Sequence, residues 1–266
     1  MSLDPRYLAT GVDAALEAGR IHRRYFRQHP DIHKKGRIDL VTNADLEAER
    51  MFRDLIAQRF PDHVVVGEEA GAVAPPEGRC RWIIDPVDGT TNFAHGLALF
   101  CVSIALEVDG QLALGVVYDP INEELFTAER GEGARLNGEP IHVSMCAELV
   151  DGLLVTGFPY TIREERRRQV DVFAAFLHEA QAVRRLGSAA LDLCYVAAGR
   201  LDGYWEERVF PWDIAAGALL VAEAGGTVTG LDNQPFDPFG LQILATNGPL
   251  HEPMLEVIRR VHQESA

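Results

Sequence analysis

The chain has 266 residues, of which 47% are hydrophobic and 24% are charged, a balance typical of globular proteins. This length is sufficient for one large domain or two small domains with a sizeable core. The net charge is −15, from 40 acidic and 25 basic residues, which disfavours a nucleic-acid-binding protein because such proteins usually carry a basic face. The most basic segment, REERRR at 163–168, contains two glutamates and is predicted to form the solvated face of a helix.

Targeting, membrane and redox signals are lacking in the sequence. The first residues do not combine a basic segment with an apolar one, so no signal peptide is predicted. No apolar run approaches the ~18 residues that a membrane-spanning helix needs. The four cysteines are widely spaced, without the Cys–Cys and Cys–His spacings typical of zinc sites. We therefore expect a cytoplasmic protein.

The first half of the chain is predicted to contain helices followed by strands. Apolar periodicity predicts two helices, at 5–28 and 44–59. Two short strands are predicted after them, at 64–67 and 81–85. Between residues 100 and 143, short apolar runs separated by turns predict a series of strands. Asp109-Gly110 and Asn137-Gly138 within this region are strong signals for β-hairpins.

The second half alternates strands and helices. Strands are predicted at 153–156, 182–186, 203–206 and 242–246, and helices at 164–178, 188–199, 211–224 and from about 249. The change of pattern near Cys146 predicts two sub-domains: an N-terminal α+β unit at 1–146 and a C-terminal α/β unit at 147–266. Together they predict a layered α/β or α+β architecture.

Acidic residues recur at the predicted ends of strands. In WIIDPVDGTTNF, at 82–93, Asp85 ends a strand and Asp88 lies in the turn after it, and the segment contains no lysine or arginine. The other acidic residues with this placement are Glu68 and Glu69 after VVVG, Glu206 at the end of GYWE, and Asp213 in the first turn of a helix. Each alone also fits a surface charge or a partner of the helix dipole. Their recurrence favours a shared ligand site, because α/β sheets bind ligands at strand ends.

Such a group of carboxylates needs a positive charge, because unpaired buried carboxylates are costly. Oxygen ligands without cysteine or histidine predict a hard cation, Mg²⁺ before Zn²⁺. Next to the acids, Gly89-Thr90-Thr91 leads into a short predicted helix whose exposed N–H groups could bind phosphate, although these residues also fit a plain turn. A metal site beside an anion site indicates phosphoryl transfer to water.

Several long motifs resemble the inositol monophosphatase family over nearly the whole chain. They are WIIDPVDGTTNF, GEEAG at 67–71, PWDIAAGALLVAEAGG at 211–226, DLVTNAD at 39–45 and GSAALDLCYVAAGRLDGYWE at 187–206. GFPY at 157–160 is similar to the bacterial branch of the family. The resemblance implies a layered αβαβα fold of the inositol monophosphatase and fructose-1,6-bisphosphatase-like type. It also implies Mg²⁺-dependent hydrolysis of a phosphate monoester.

The resemblance implies two or three Mg²⁺ ions in the active site. The first would be bound by four groups: Glu68, Asp85, the Val87 carbonyl and Thr90. The second would be bound by three: Asp85, Asp88 and Asp213. A weaker third would rest on Glu68 and water. Thr90 paired with Asp45 would orient and deprotonate the attacking water, and Glu68 completes the catalytic set.

The resemblance also implies how the substrate is held. The amides of Gly89 and Thr90 would bind phosphate. Sugar hydroxyls would be bound by four groups: Asp88, the Ala189 backbone, Glu206 and Asp213. Lys34 matches a family lysine near the metals, while the adjacent Lys35 leaves the register of that match open, and Glu69 would lie next to the metal ligands.

The sequence is compatible with several of the phosphate esters that members of this family hydrolyse. Myo-inositol 1-phosphate or a similar polyol phosphate is the leading prediction, because Glu206 precedes Asp213 by seven residues, which favours a polyol over histidinol. Histidinol phosphate, fructose 1,6-bisphosphate, nucleotide 3′-phosphates and NADP are the alternatives, and Arg208 either contacts a second anionic group or is a surface residue. The resemblance further implies inhibition by Li⁺, a homodimer and, as an alternative role, regulation through the transcription machinery.

Overall fold

Two large β-sheets and seven α-helices form the part of the chain that the computed structural model describes, residues 3–28, 32–34, 40–68, 79–159, 162 and 168–264. The helices are α1 Pro5–Tyr25, α2 Asn43–Arg59, α3 Thr90–Ala94, α4 Arg168–Glu179, α5 Ala189–Ala197, α6 Pro211–Glu223 and α7 His251–Glu264. The strands are β1 Ile32–Lys34, β2 Leu40–Thr42, β3 Val64–Gly67, β4 Cys80–Asp88, β5 Cys101–Val108, β6 Gln111–Asp119, β7 Glu124–Glu129, β8 Ala134–Leu136, β9 Glu139–Ile141, β10 Leu153–Thr156, β11 Ala182–Arg184, β12 Gly203–Glu207, β13 Thr227–Thr229 and β14 Gln242–Thr246.

The first large sheet has the strand order β3-β4-β5-β6-β7-β8-β9. Only β3 and β4 pair in parallel, and each later strand runs antiparallel to its neighbour. Asp109-Gly110 joins β5 to β6 and Asn137-Gly138 joins β8 to β9, and all four residues have positive φ. Both hairpins are therefore confirmed, because these residue pairs accept the left-handed backbone that a tight hairpin requires.

The second large sheet has the order β11-β10-β12-β14-β13. Strand β10 is parallel to β11 and β12, and β14 is antiparallel to β12 and β13. The parallel strands alternate with α4 and α5 along the chain, as a parallel connection requires. The predicted alternation of strands and helices in the second half is thus confirmed.

Five layers result from packing helices on both sheets. Helices α1 and α2 cover one face of the first sheet, α5 and α6 lie between the sheets, and α4 and α7 cover the outer face of the second. Residues along β4 alternate accordingly: Trp82 and Ile84 join the core with α1 and α2, and Ile83 joins the core with α5 and α6. This αβαβα layering confirms the predicted architecture.

The chain passes from the first sheet to the second between Ile141 and Leu153, near the predicted division at Cys146. The core between the sheets takes residues from both, such as Ala105 on β5 and Tyr204 on β12. The division into sub-domains 1–146 and 147–266 stays a prediction.

Element boundaries differ from the prediction in a few places. Helix α1 ends at Tyr25, where Phe26 adopts an extended ψ. The helix predicted from 164 begins at Arg168, and 163–167 lie outside the described residues. The short strands β1, β2 and β13 were not predicted, because three residues are too few to show a periodic pattern. Among the described residues, no helix has the length and apolar character to cross a membrane.

Candidate active site

Strand β4 carries two acidic residues to one end of the first sheet. Asp85 lies opposite Ser103 on β5 and Asp88 lies opposite Cys101, so β4 has one residue more than β5 between the two pairs. This is a β-bulge, and it contains Pro86, which has no N–H to donate. The prediction that Asp88 lies in a turn after the strand is wrong, because the bulge lets the pairing with β5 continue to Asp88.

The bulge explains why the two carboxylates converge. In a regular strand, residues three apart point to opposite faces, whereas one extra residue places them on the same face. Asp213 reaches the same point from the first turn of α6, where its carboxylate accepts a hydrogen bond of 2.9 Å from the Phe210 N–H. Asp85, Asp88 and Asp213 each offer a carboxylate oxygen within 4.8 Å of the others. Such an all-oxygen set suits a hard cation.

Burial and mutual repulsion both raise the pKa of Asp85 and of Asp213. Burial raises the pKa of Asp85 well above its ordinary value, and the charges of Glu68, Asp88, Asp213 and Asp45 raise it further. Burial likewise raises the pKa of Asp213, with added repulsion from Asp88 and Glu68. A group of carboxylates with these properties binds either protons or cations.

Asp88 is oriented by the start of α5. Its Oδ2 accepts hydrogen bonds from the Ser188 hydroxyl at 2.5 Å and the Ala190 N–H at 2.8 Å. Burial raises the pKa of Asp88, and these bonds together with the Ala189 N–H oppose that rise. The predicted α5 cap at Ser188 is confirmed. Its hydroxyl also holds Asp88, which the sequence pattern did not indicate.

Thr90 and Asp45 come together although 45 positions separate them in the chain. The Thr90 hydroxyl lies 3.2 Å from Asp45 Oδ1 and 2.9 Å from the Val87 carbonyl oxygen. Asp45 is fully buried in the first turn of α2. Its Oδ2 accepts from the Thr42 N–H at 2.9 Å and the Thr42 hydroxyl at 2.5 Å. This capping box fixes the Asp45 carboxylate toward Thr90.

Gly89 forms the turn between β4 and α3 with a φ of +93°. A side chain here would be strained, and its Cβ would lie 2.9 Å from the Leu99 carbonyl oxygen. The predicted short helix after the acidic pair is confirmed as α3. Gly89 and Thr90 both line a cleft at this end of the sheet.

A cleft of about 670 Å³ collects most of the predicted site residues. Those that line it are Glu68, Asp85, Val87, Asp88, Gly89, Thr90, Ala189, Glu206 and Asp213. Asp45 is not among the residues that line the cleft, but it contacts Thr90, which does line it. Glu69 and the side chain of Lys34 lie outside the described residues, and the roles given to them above stay predictions. Arg208 also lines the cleft, with a left-handed backbone at a φ of +61°.

Glu206 also forms part of the cleft wall. Its Oε2 accepts a hydrogen bond of 2.5 Å from the Tyr204 hydroxyl. Burial raises the pKa of Glu206 to about 7, and Tyr204 and the Arg185 charge oppose that rise. Gly157 leaves room for the carboxylate, since a Cβ there would lie 2.0 Å from Glu206 Oε2. The spacing of Tyr204 and Glu206 on one strand could have predicted their contact.

A buried histidine on α1 contacts the backbone of the bulge. His22 on α1 is fully buried, and its Nε2 lies 2.7 Å from the Pro86 carbonyl oxygen. A carbonyl can only accept, so Nε2 carries the hydrogen. Burial lowers the pKa of His22 to about 4, which keeps the ring neutral. No feature of the sequence predicted this contact, because it depends on how α1 packs on the sheet.

Comparison with known proteins decides the family. The model of the inositol monophosphatase family matches residues 4–264. The chain belongs to this family. An inositol-1-monophosphatase of Synechocystis is 44% identical over 258 residues, which cover 97% of this chain and 90% of that protein. A protein of Pasteurella multocida named Nus factor SuhB is 45% identical over 223 residues, covering 83% and 84%.

Solved structures of the inositol monophosphatase family agree with the fold. The inositol monophosphatase of Anabaena has a TM-score of 0.86 at 42% identity and covers 96% of each chain. The Thermotoga maritima enzyme has a TM-score of 0.88 at 36% identity, covering 98% of this chain and 100% of that chain. The predicted family and fold are confirmed. The chain is a phosphatase of this metal-dependent family, and its acidic cluster could bind metal.

Proposed function

We propose that the protein is a Mg²⁺-dependent phosphomonoesterase that hydrolyses myo-inositol 1-phosphate or a similar polyol phosphate. The observation that carries this proposal is the convergence of Asp85, Asp88 and Asp213 within 4.8 Å. The Thr90–Asp45 pair lies beside them, at 3.2 Å. An all-oxygen group next to a hydroxyl that a buried carboxylate orients suits metal-assisted attack of water on phosphorus.

The residues that would hold two or three Mg²⁺ ions are Glu68, Asp85, the Val87 carbonyl, Asp88, Thr90 and Asp213. Bound Mg²⁺ would lower the pKa of the attacking water and stabilise negative charge on the attacking and leaving oxygens. The donors are carboxylates, a carbonyl and a hydroxyl, the ligand types that Mg²⁺ prefers. The rate enhancement to be explained is large, because phosphate monoesters hydrolyse extremely slowly in water.

Thr90 and Asp45 would activate the water. The Thr90 oxygen accepts a hydrogen bond from the water while its own hydrogen points to Asp45 Oδ1. As the water oxygen attacks phosphorus, its proton passes to Thr90 Oγ1 and the Thr90 proton passes to Asp45. The bond from phosphorus to the alcohol oxygen breaks, and this oxygen takes a proton from a second water to leave as the free alcohol. Asp45 keeps its orientation because both donors of Thr42 hold its other oxygen. Glu68 would also help to position the water.

The substrate would lie along the cleft, with phosphate and alcohol at different ends. The amides of Gly89 and Thr90 would bind the phosphate at the start of α3. The alcohol hydroxyls would be bound by four groups: Asp88, the Ala189 backbone, Glu206 and Asp213. Glu206 supports a polyol because its carboxylate is buried at the wall of the cleft and can accept from hydroxyl groups.

A phosphate-release panel tests this proposal. Substrates would be myo-inositol 1-phosphate, histidinol phosphate, fructose 1,6-bisphosphate, a nucleotide 3′-phosphate and NADP, each with Mg²⁺ and with EDTA. We expect the highest kcat/KM for inositol 1-phosphate, no turnover in EDTA and inhibition by Li⁺. A higher kcat/KM for histidinol phosphate would replace the polyol assignment, and full activity in EDTA would contradict the metal mechanism.

Relatives named Nus factor SuhB favour a second candidate function, binding to the transcription machinery. Thr90→Ala separates the two functions, because misplacing the nucleophile should lower kcat on the order of 10²-fold without changing the protein surface. We expect wild type and Thr90→Ala to bind purified RNA polymerase complexes of the source organism equally in a pull-down. Absence of binding by the wild type would exclude this second role.

The proposal also includes a homodimer and a cytoplasmic location. Analytical sedimentation of the purified protein tests whether it is a dimer.

A further inference from the structure

Asp192 is an acidic residue of the cleft for which the proposed mechanism has no role. It lies in the first turn of α5, where its N–H donates to the Ser188 carbonyl at 3.0 Å. Only 1% of the residue is exposed, yet it lines the cleft together with Glu206. Beyond burial, the charge of Glu206 raises the pKa of Asp192, and the charges of Glu206 and Asp192 both raise the pKa of Tyr204, so these three side chains lie near one another.

The carboxyl of Asp192 lacks the hydrogen bonds that its neighbours have. Its Oδ1 is fully buried and has no hydrogen-bond partner within the described residues. By contrast, Asp88 accepts from Ser188 and Ala190, and Glu206 accepts from Tyr204. Buried polar atoms in native proteins are nearly always paired, so an unpaired one at the wall of a ligand cleft needs an explanation. Because Asp192 lines the cleft, a ligand group that reaches its carboxyl would supply a bond partner.

The surroundings of Asp192 restrict which ligand group can approach it. Burial raises the pKa of Asp192 well above its ordinary value, the charges of Asp88 and Glu206 add to that rise, and Arg185 opposes it. A protonated carboxyl both donates and accepts hydrogen bonds, as an alcohol hydroxyl does. A second phosphate group would meet the negative charges of Asp88 and Glu206. A neutral hydroxyl therefore fits this position and an anion does not.

We propose that Asp192 is a substrate-binding residue that contacts a hydroxyl of the leaving alcohol, next to the hydroxyl that Glu206 binds. The inference rests on the proposed phosphatase function and names its substrate class: monophosphates of neutral alcohols with adjacent hydroxyl groups. Glu206 and Asp192 contact neighbouring hydroxyls, so the cleft disfavours both simple alcohols without hydroxyls and sugars with a second phosphate.

A comparison of Asp192→Ala with the wild type on a series of substrates tests this contact. The series contains myo-inositol 1-phosphate, its monodeoxy analogues, each lacking one hydroxyl, and phenyl phosphate, which lacks them all. Asp192→Ala should raise the KM for inositol 1-phosphate about tenfold more than the KM for phenyl phosphate, the size expected for one hydrogen bond. The kcat should change much less than KM, because the contact is present before and during the reaction.

The monodeoxy series identifies the hydroxyl. Wild type should discriminate against the analogue that lacks the hydroxyl bound by Asp192, and Asp192→Ala should lose that discrimination while keeping it against the others. Asp192→Asn, which keeps the shape and the hydrogen-bonding capacity, should recover most of the wild-type KM. It also provides the same measurement if Asp192→Ala does not fold.

A matched control is Asp119→Asn. Asp119 is also fully buried, but its oxygens accept hydrogen bonds from the Ile121 and Asn122 N–H groups and from the Asn122 side chain. Asp119→Asn should lower stability and leave the ratio of the two KM values unchanged. An equal rise of KM on all substrates in Asp192→Ala, or no rise, would overturn the inference. A wild type that releases no phosphate from any of these substrates would instead overturn the proposed function.

Discussion

The two ends of strand β4 differ in what surrounds their buried carboxylates: an arginine at one end and further carboxylates at the other. Near its start, Arg81 lies opposite Glu107 on β5 and forms an ion pair with it, and the guanidinium also lies 5.3 Å from the centre of the Phe239 ring. At its end, Asp85 and Asp88 meet further carboxylates instead. Among the described residues, the groups that act most strongly on the pKa values of Asp85, Asp88 and Asp213 include no lysine or arginine.

This contrast separates a structural acidic site from a ligand site. At the start of β4 the chain supplies both charges, so the charge balance is complete when the protein folds. At the end of β4 the described residues that converge, Asp85, Asp88 and Asp213, are all acidic, so folding brings like charges together. The first arrangement stabilises the fold by itself, whereas the second becomes favourable when cations bind. We infer that bound Mg²⁺ completes the acidic end of β4.

The largest effect is expected from Asp85→Asn, which removes one charge at the acidic end. Asp85 is predicted to hold two ions, so kcat/KM for inositol 1-phosphate should fall on the order of 10³-fold or more. Phosphate release at saturating Mg²⁺ measures this fall. Glu107→Gln at the other end of β4 is the matched control and should keep kcat/KM within a few-fold of wild type. Equal losses in both variants would remove the distinction between the two ends.

Glu107→Gln should act on stability instead. The side chain of Glu107 is 5% exposed and that of Arg81 is 16% exposed, so the substitution leaves a largely buried guanidinium without its partner. Breaking such a pair should lower the free energy of unfolding by about 4 kcal/mol. Urea unfolding in EDTA and in Mg²⁺ should show the same loss in both solutions. A loss seen only with Mg²⁺ would mean that this end of the strand also depends on the ion.

Stability should depend on pH through His22, which supports the acidic end of β4. Its pKa is 6.5 when unfolded and about 4 when folded. The contribution of neutral His22 to the free energy of unfolding is therefore fully present above pH 6.5 and is lost as the pH falls toward 4. In this pH range the unfolded state binds a proton at His22 that the native state does not bind. The shift corresponds to about 3 kcal/mol.

The variant His22→Gln isolates this effect from the other titrating groups. The introduced glutamine amide keeps a donor for the Pro86 carbonyl but does not titrate. The wild-type advantage in free energy of unfolding, measured in EDTA, should shrink by about 3 kcal/mol between pH 7 and pH 4. A difference that is constant with pH would show that His22 is protonated as easily in the folded protein as in the unfolded chain.

The smallest effect is expected from Tyr204→Phe at the alcohol end of the cleft. Phenylalanine fills the same buried volume but removes the hydrogen bond to Glu206, which should lower stability by about 1 kcal/mol. The KM for inositol 1-phosphate should rise several-fold while kcat changes little, because Tyr204 positions Glu206 and does not contact phosphorus. A fall in kcat without a change in KM would assign Tyr204 a different role.

Much of the fold could be predicted because local signals were strong. The two hairpins depend on Asp109-Gly110 and Asn137-Gly138, and α5 and α6 begin at a serine cap and at Pro211. The approach of the acidic residues could be predicted from their recurrence at strand ends. These features are set within a few residues of chain, where turn and cap chemistry dominate.

The remaining features depend on tertiary packing. The bulge at Pro86 is visible only in the register of β4 against β5, so Asp88 was predicted to lie in a turn. The support from His22 and the unpaired Asp192 oxygen arise from helices packed on the two sheets. A periodic pattern shows which residues are buried, but it does not show which buried polar atoms find partners.

Thermal unfolding in EDTA and in Mg²⁺ shows whether Mg²⁺ completes the acidic end of β4. Mg²⁺ that binds only the folded protein should stabilise it by about 2.7 kcal/mol at a concentration of one hundred times Kd. For a chain of this size each kcal/mol raises Tm by roughly 2–4 °C. We predict a clear rise of Tm from EDTA to millimolar Mg²⁺ in wild type and in Glu107→Gln. In Asp85→Asn the rise should be largely absent, with a Tm in EDTA at or above that of wild type. An equal Mg²⁺-dependent rise in Asp85→Asn and wild type, or no rise in wild type, would show that Mg²⁺ does not complete the acidic end of β4.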